Sequence, residues 1–203
     1  MKSLLRAWWL QSRIGILLSI GFCLNVSGGN ILVPQALSSC PPGYSLNIDA
    51  TACNACRAGT YSNLGTTCLA CPTGYFSGTI SSVCTACPTG TFNTTGALPS
   101  INSCASCPAG KYSSSSGSSA CTSCSVGYYS QAGASVCSPC AAGTYTSSTG
   151  TTACIVCEIG KYQPSGGTTT CLSCPTGTYE PNIGMTQCTQ CLAGTYGANT
   201  GAI

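Results

Sequence analysis

The chain has 203 residues, of which 20 are cysteine, six are basic, three are acidic and none is histidine. Cysteine at about a tenth of a chain marks a disulfide scaffold, and a sequence without histidine and with three carboxylates scarcely supplies the paired groups that acid–base catalysis uses. Three of the six basic residues, Lys2, Arg6 and Arg13, lie at the start, and the rest of the chain balances Arg57, Lys111 and Lys161 against Asp49, Glu158 and Glu180, so no basic surface exists for nucleic acid or for an anionic membrane.

The N-terminus reads as a targeting segment. The basic residues flank a short apolar run from Ala7 to Leu10, and a second run from Ile14 to Leu24 is followed by the small residues Val26, Ser27 and Gly28. A positive start, an apolar stretch of about 7–15 residues and a small-residue site make a signal peptide. The predicted cut follows Gly28, so residues 1–28 form the signal and residues 29–39 a linker. An uncleaved anchor is the alternative, but 11 apolar residues fall short of the ~20 that span a bilayer. Either reading delivers the chain to an oxidising compartment. Cys23 leaves with the signal, and 19 cysteines remain. No second apolar stretch follows, so after cleavage this chain inserts no segment in a membrane, although the full-length protein could be anchored by other means.

From Cys40 onward a repeat dominates. Nine Cys-x-x-Cys pairs begin at Cys53, Cys68, Cys84, Cys104, Cys121, Cys137, Cys154, Cys171 and Cys188, at offsets of 15, 16, 20, 17, 16, 17, 17 and 17 residues. Such a period signals a repeat array. Three residues after each second cysteine stands a glycine, as in Gly59, Gly110 and Gly177, and two residues further an aromatic, as in Tyr61, Tyr112 and Tyr179. Five units carry proline after the second cysteine, for example Cys107-Pro108. Pro second and Gly fourth predict a type I turn that starts on the cysteine. In later units a second glycine (Gly117, Gly133, Gly150, Gly167, Gly184) stands four residues before the next cysteine. The unit therefore reads as turn, short strand through the aromatic, glycine turn and short return strand. Only 19 of the 163 residues from Pro41 are Leu, Ile, Val or Phe, too few for one large core. Covalent cross-links and an aromatic laid over each must substitute, which predicts stability that is local to each unit.

Sequence alone does not prove connectivity, but parity narrows it. Cys40 has no Cys-x-x partner and behaves as a second cysteine. The simplest rule joins each second cysteine to the next first one: Cys40–Cys53, Cys56–Cys68, Cys71–Cys84, Cys87–Cys104, Cys107–Cys121, Cys124–Cys137, Cys140–Cys154, Cys157–Cys171 and Cys174–Cys188. Cys191 is left over, and residues 192–203 read as an incomplete repeat at a truncation. The array proper spans 40–191. The competing reading of repeated Cys-x-x-Cys is zinc. Four-thiolate sites would load an otherwise neutral chain with about two negative charges each, and three basic side chains offer little compensation, so no metal or other cofactor is expected. Asn93-Thr94-Thr95 is an N-glycosylation sequon in the longest loop, and Asn25-Val26-Ser27 is another that leaves with the signal.

The unit Cys104-Ala-Ser-Cys107-Pro108-Ala-Gly110-Lys-Tyr112, repeated as Cys171-Leu-Ser-Cys174-Pro175-Thr-Gly177-Thr-Tyr179, resembles the ephrin type-A/B receptor-like cysteine-rich repeat. It is also similar to tumour-necrosis-factor-receptor and growth-factor-receptor cysteine-rich modules. The resemblance covers Cys40 to the C-terminus and implies small disulfide-rich, mostly β or irregular modules in an elongated tandem array. The kinase motifs and the separate ligand-binding domain of those receptors do not carry over to this chain. The expected role is a non-enzymatic extracellular stalk or interaction segment of a larger secreted or cell-surface protein, with an extracellular protein or glycan as partner. The alternatives are a ligand-binding receptor ectodomain and a zinc-binding protein.

Overall fold

A computed structural model describes residues 36–203. The predicted signal, the first part of the linker and the Asn25 sequon lie outside the described residues.

Nine disulfides divide the chain into units: unit 1 is Cys40–Cys53, unit 2 Cys56–Cys68, unit 3 Cys71–Cys84, unit 4 Cys87–Cys104, unit 5 Cys107–Cys121, unit 6 Cys124–Cys137, unit 7 Cys140–Cys154, unit 8 Cys157–Cys171 and unit 9 Cys174–Cys188. Each bridge closes a loop of 12 to 17 residues. Cys191 is unpaired and opens a tenth turn of chain.

Every unit is a minimal hairpin. Unit 1 pairs β1 (Tyr44–Leu46) with β2 (Cys53–Ala55), and unit 2 pairs β3 (Thr60–Tyr61) with β4 (Leu69–Ala70). The same antiparallel pairing joins β5 (Tyr75–Phe76) to β6 (Thr85–Ala86) and β7 (Thr91–Phe92) to β8 (Ala105–Ser106). It continues with β9 (Lys111–Tyr112) and β10 (Thr122–Ser123), then β11 (Tyr128–Tyr129) and β12 (Ser138–Pro139). Units 7, 8 and 9 pair β13 (Thr144–Tyr145) with β14 (Ile155–Val156), β15 (Lys161–Tyr162) with β16 (Leu172–Ser173), and β17 (Thr178–Tyr179) with β18 (Thr189–Gln190). The return strand is the x-x of each Cys-x-x-Cys. The disulfide therefore closes the hairpin beside its two-residue ladder, which would be marginal alone.

The first turn differs from the sequence reading. Its hydrogen bond runs from Lys111 N to Pro108 O, and the same bond joins Thr178 N to Pro175 O and Tyr75 N to Pro72 O. The turn thus begins one residue after the cysteine, with the glycine third rather than fourth. Gly110 has φ of 82° while the residue before it keeps negative φ, which defines a type II turn. A third-position glycine is what that turn demands, because an L side chain is disfavoured at positive φ.

The units are also not separate beads. At the junction of units 5 and 6, Gly110 N donates to Ser130 O (2.9 Å), Ser113 N to Ala134 O (3.2 Å) and Gly133 N to Cys107 O (2.8 Å). Equivalent triplets recur at every junction from units 2 and 3 to unit 9 and the tenth turn, where Gly177 N meets Gly197 O. Parallel bridges such as Tyr129 to Thr151 mark the same ladder. The approach extends two units along: a Cβ on Gly110 would lie 2.0 Å from Gly150 O, and one on Gly143 would lie 2.0 Å from Gly184 O. A continuous backbone ladder therefore joins the hairpins, and it adds coupling between neighbours to the nearly unit-by-unit stability expected from the sequence.

The interior is sulfur and polar groups. The first cysteine of each bridge is buried, and so is the residue after the aromatic in units 2 to 9: Ser62, Ser77, Asn93, Ser113, Ser130, Thr146, Gln163 and Glu180. Tyr61, Phe76, Phe92, Tyr112, Tyr129, Tyr145, Tyr162 and Tyr179 are half-buried, so the aromatics flank this core rather than form it.

Candidate functional site

The buried polar position escaped the sequence reading, and it does structural work. Ser77 Oγ donates to Thr60 O, Asn93 Nδ2 to Tyr75 O and Ser130 Oγ to Lys111 O, each reaching the strand of the preceding unit at 3.0 to 3.1 Å. Others fold back on their own loop: Ser62 Oγ accepts from Gly65 N, Gln163 Nε2 donates to Thr170 O, and Glu180 Oε1 accepts from Asn182 N. A small polar side chain thus satisfies backbone groups that the narrow core would otherwise orphan. The signal was present in the sequence as an unbroken run of polar residues after the aromatic.

Asn93 is the most fully bonded of these positions. Its side chain is only 4% exposed. While Nδ2 donates to Tyr75 O, Oδ1 accepts from Thr95 N and Gly96 N at 2.9 and 3.1 Å. Asn93, the sequon residue, thus caps its own loop and reaches the strand of unit 3 through the same side chain.

Among the described residues every cysteine but Cys191 is disulfide-bonded. Disulfide bonding takes up the thiolates that a zinc site requires. Among the described residues no three His, Cys, Asp or Glu side chains are grouped to hold a metal ion. The thiol of Cys191 is half-buried, at the start of the tenth turn.

Units 7 and 8 break the monotony of the array. A cavity of about 260 Å³ lies there, lined by Tyr145 of β13, Glu158 and Lys161 of the unit 8 turn, and Thr170 and Cys171 at the end of the unit 8 loop. Glu158 and Lys161 are the first and fourth residues of that turn. Their backbones share its closing bond and their side chains pair at 3.1 Å (Lys161 Nζ to Glu158 Oε2). This is the ion pair found among the described residues, and the side chains are 45% and 76% exposed. Such a pair contributes about 0–1 kcal/mol to stability. Elsewhere the same two turn positions hold Pro72 and Tyr75, Pro88 and Thr91, or Ala141 and Thr144. Beside the cavity, Ile155, Val156, Ile159 and Leu172 are about half exposed. The hydroxyl of Thr168, two residues before Thr170, is buried without a hydrogen-bond partner. The sequence reading treated all units as equivalent. The Glu158-x-x-Lys161 spacing was the cue to the exception.

Tandem two-stranded hairpins, each closed by a disulfide, with almost no helix and a core of cystine, define a small disulfide-rich repeat protein. The family model described as tyrosine-protein kinase ephrin type A/B receptor-like matches residues 127–158, 146–178 and 160–203. Residues 127–203 are therefore ephrin receptor-like cysteine-rich repeats, and the same disulfide-linked unit runs back to Cys40. The family is one of receptor-type repeats, not of enzymes. Repeats of this kind, held by nine disulfides, point to an extracellular module. No helix among the described residues is long and apolar enough to cross a membrane. No curated protein matches the chain.

Proposed function

We propose that this chain is a non-enzymatic extracellular spacer in a secreted or cell-surface protein, delivered by a signal over residues 1–28 and built from an array over 40–191, with residues 29–39 as a linker. The observation that carries this reading is the junction ladder. From unit 2 onward the same three backbone bonds hold each unit to the next whatever side chains the loop displays. Length is thus set by repeat number, and loop surface is left free for contact with an extracellular protein or glycan.

Excising residues 107–139 tests it. That deletion removes units 5 and 6 and joins Cys104-Ala105-Ser106 to Cys140, so every remaining Cys-x-x-Cys is preserved. The shortened protein should be secreted with its remaining bridges intact and with a shorter maximum dimension in small-angle scattering. Retention in the cell with scrambled disulfides would refute an array of interchangeable spacer units. Labelling of a terminal tag only after permeabilisation would refute the external location.

A further inference from the structure

We propose that the cavity between units 7 and 8 is a binding site for one neutral sugar ring of a glycan. The proposal rests on the extracellular array reading above and gives it a ligand class and an address. At about 260 Å³ the cavity lies below the ~300–1,000 Å³ of sites that enclose drug-sized ligands, so it takes a single ring and leaves the rest of a chain outside. Its chemistry is that of polyhydroxyl recognition. Lys161 Nζ only donates and the Glu158 carboxylate only accepts, whereas each sugar hydroxyl does both. A donor and an acceptor 3.1 Å apart present two neighbouring hydroxyls with complementary partners. The pair already neutralises itself, so the cavity has no net charge with which to favour a sulfated or acidic sugar.

Tyr145 supplies the second element. It is half-buried on β13 and brings an apolar ring face with a polar tip, suited to the C–H face of a sugar ring. Thr170 completes the lining, and its carbonyl is held by Gln163 Nε2 at 2.7 Å, which fixes that wall by a bond from the buried core. The side chains required come from two successive units, so the site exists only because the ladder sets unit 8 against unit 7 (Gly143 N to Gln163 O, 2.8 Å).

The test is an NMR titration of the full secreted protein, after intact mass shows nine disulfides, with lactose and mannobiose as neutral probes and 3′-sialyllactose as the acidic one. A protein with free thiols in place of bridges would sink the extracellular array before any sugar is added, which separates that failure from this one. The expected result is saturable shifts at Tyr145, Glu158, Lys161 and Thr170 with a neutral disaccharide. Lys161→Ala and Glu158→Gln should each weaken binding about tenfold, the worth of one hydrogen bond to a charged group. Lys111→Ala, at the same turn position in unit 5 with proline in place of the acid, should leave it unchanged. No saturable shift with either neutral sugar, tighter binding of the sialylated probe, or equal loss in Lys111→Ala would overturn the proposal. Saturation of the same residues by a peptide from a displayed library, with no response to sugars, would assign the cavity to a protein partner instead.

Discussion

Two glycines of identical conformation should respond very differently to the same substitution. Gly110 and Gly177 are equivalent positions, with φ of 82° and 79°. An Ala side chain at either pays the left-handed backbone penalty of about 1–2 kcal/mol. At Gly177 nothing lies within 4 Å of the added Cβ, so the penalty ends there. At Gly110 the Cβ would sit 2.0 Å from Gly150 O, against an ordinary contact of at least 3.4 Å. Units 5 and 7 must therefore separate by more than 1 Å. Junction bonds of 2.8 to 3.4 Å do not survive that displacement. Losing three of them at about 1 kcal/mol each puts Gly110→Ala about 3 kcal/mol below Gly177→Ala, roughly a hundredfold in opening equilibrium. Hydrogen exchange by mass spectrometry, with the disulfides intact, reads this directly. The amides of Ser113, Gly133 and Gly150, which donate across the junctions of units 5, 6 and 7, should lose protection in Gly110→Ala. They should keep it in Gly177→Ala and in Gly78→Ala, where the added Cβ also meets nothing. Equal loss of protection in Gly110→Ala and Gly177→Ala would refute the two-unit contact and reduce the ladder to a string of independent turns.

Other consequences follow from the same geometry. Ile80 occupies the second-glycine slot of unit 3 with φ of 59°, a costly conformation for a β-branched residue; Ile80→Gly should raise thermal stability by about 1 kcal/mol, and a lowered melting point would contradict the assignment. Asn93→Ala should cost about 2–3 kcal/mol through three lost hydrogen bonds, and peptide mapping of the secreted wild-type protein should find Asn93 without glycan. Replacing Cys124 and Cys137 by alanine removes a loop closure worth about 3 kcal/mol, and the loss of exchange protection should spread from unit 6 into units 5 and 7; confinement to unit 6 would contradict the coupling. Under force, with bridges of 5.6 to 5.9 Å between Cα atoms intact, the path from Cys40 to Cys188 should stop at about 140 Å, against about 520 Å after reduction. A single-molecule pulling trace without that difference would show that the bridges do not form.

The sequence determined the repeat, because a Cys-x-x-Cys spacing is a chemical pattern that survives any folding outcome, and with it the hairpin: two cysteines set a dozen or so residues apart leave room for little else. It determined the role of the first glycine only in part. A Pro-x-Gly spelling shows that a turn is present, but its type depends on the φ of Gly110, which is fixed by what lies above it. Tertiary structure alone decided the rest. The residue after each aromatic became a buried polar cap because the junction leaves carbonyls such as Thr60 O and Lys111 O needing a partner. Asn93 became such a cap for the same reason. The cavity of Tyr145, Glu158 and Lys161 gathers side chains from two units, and no single repeat encodes it. Local pattern specifies local form; contacts across 20 to 40 residues of chain arise only when the ladder sets one unit against the next.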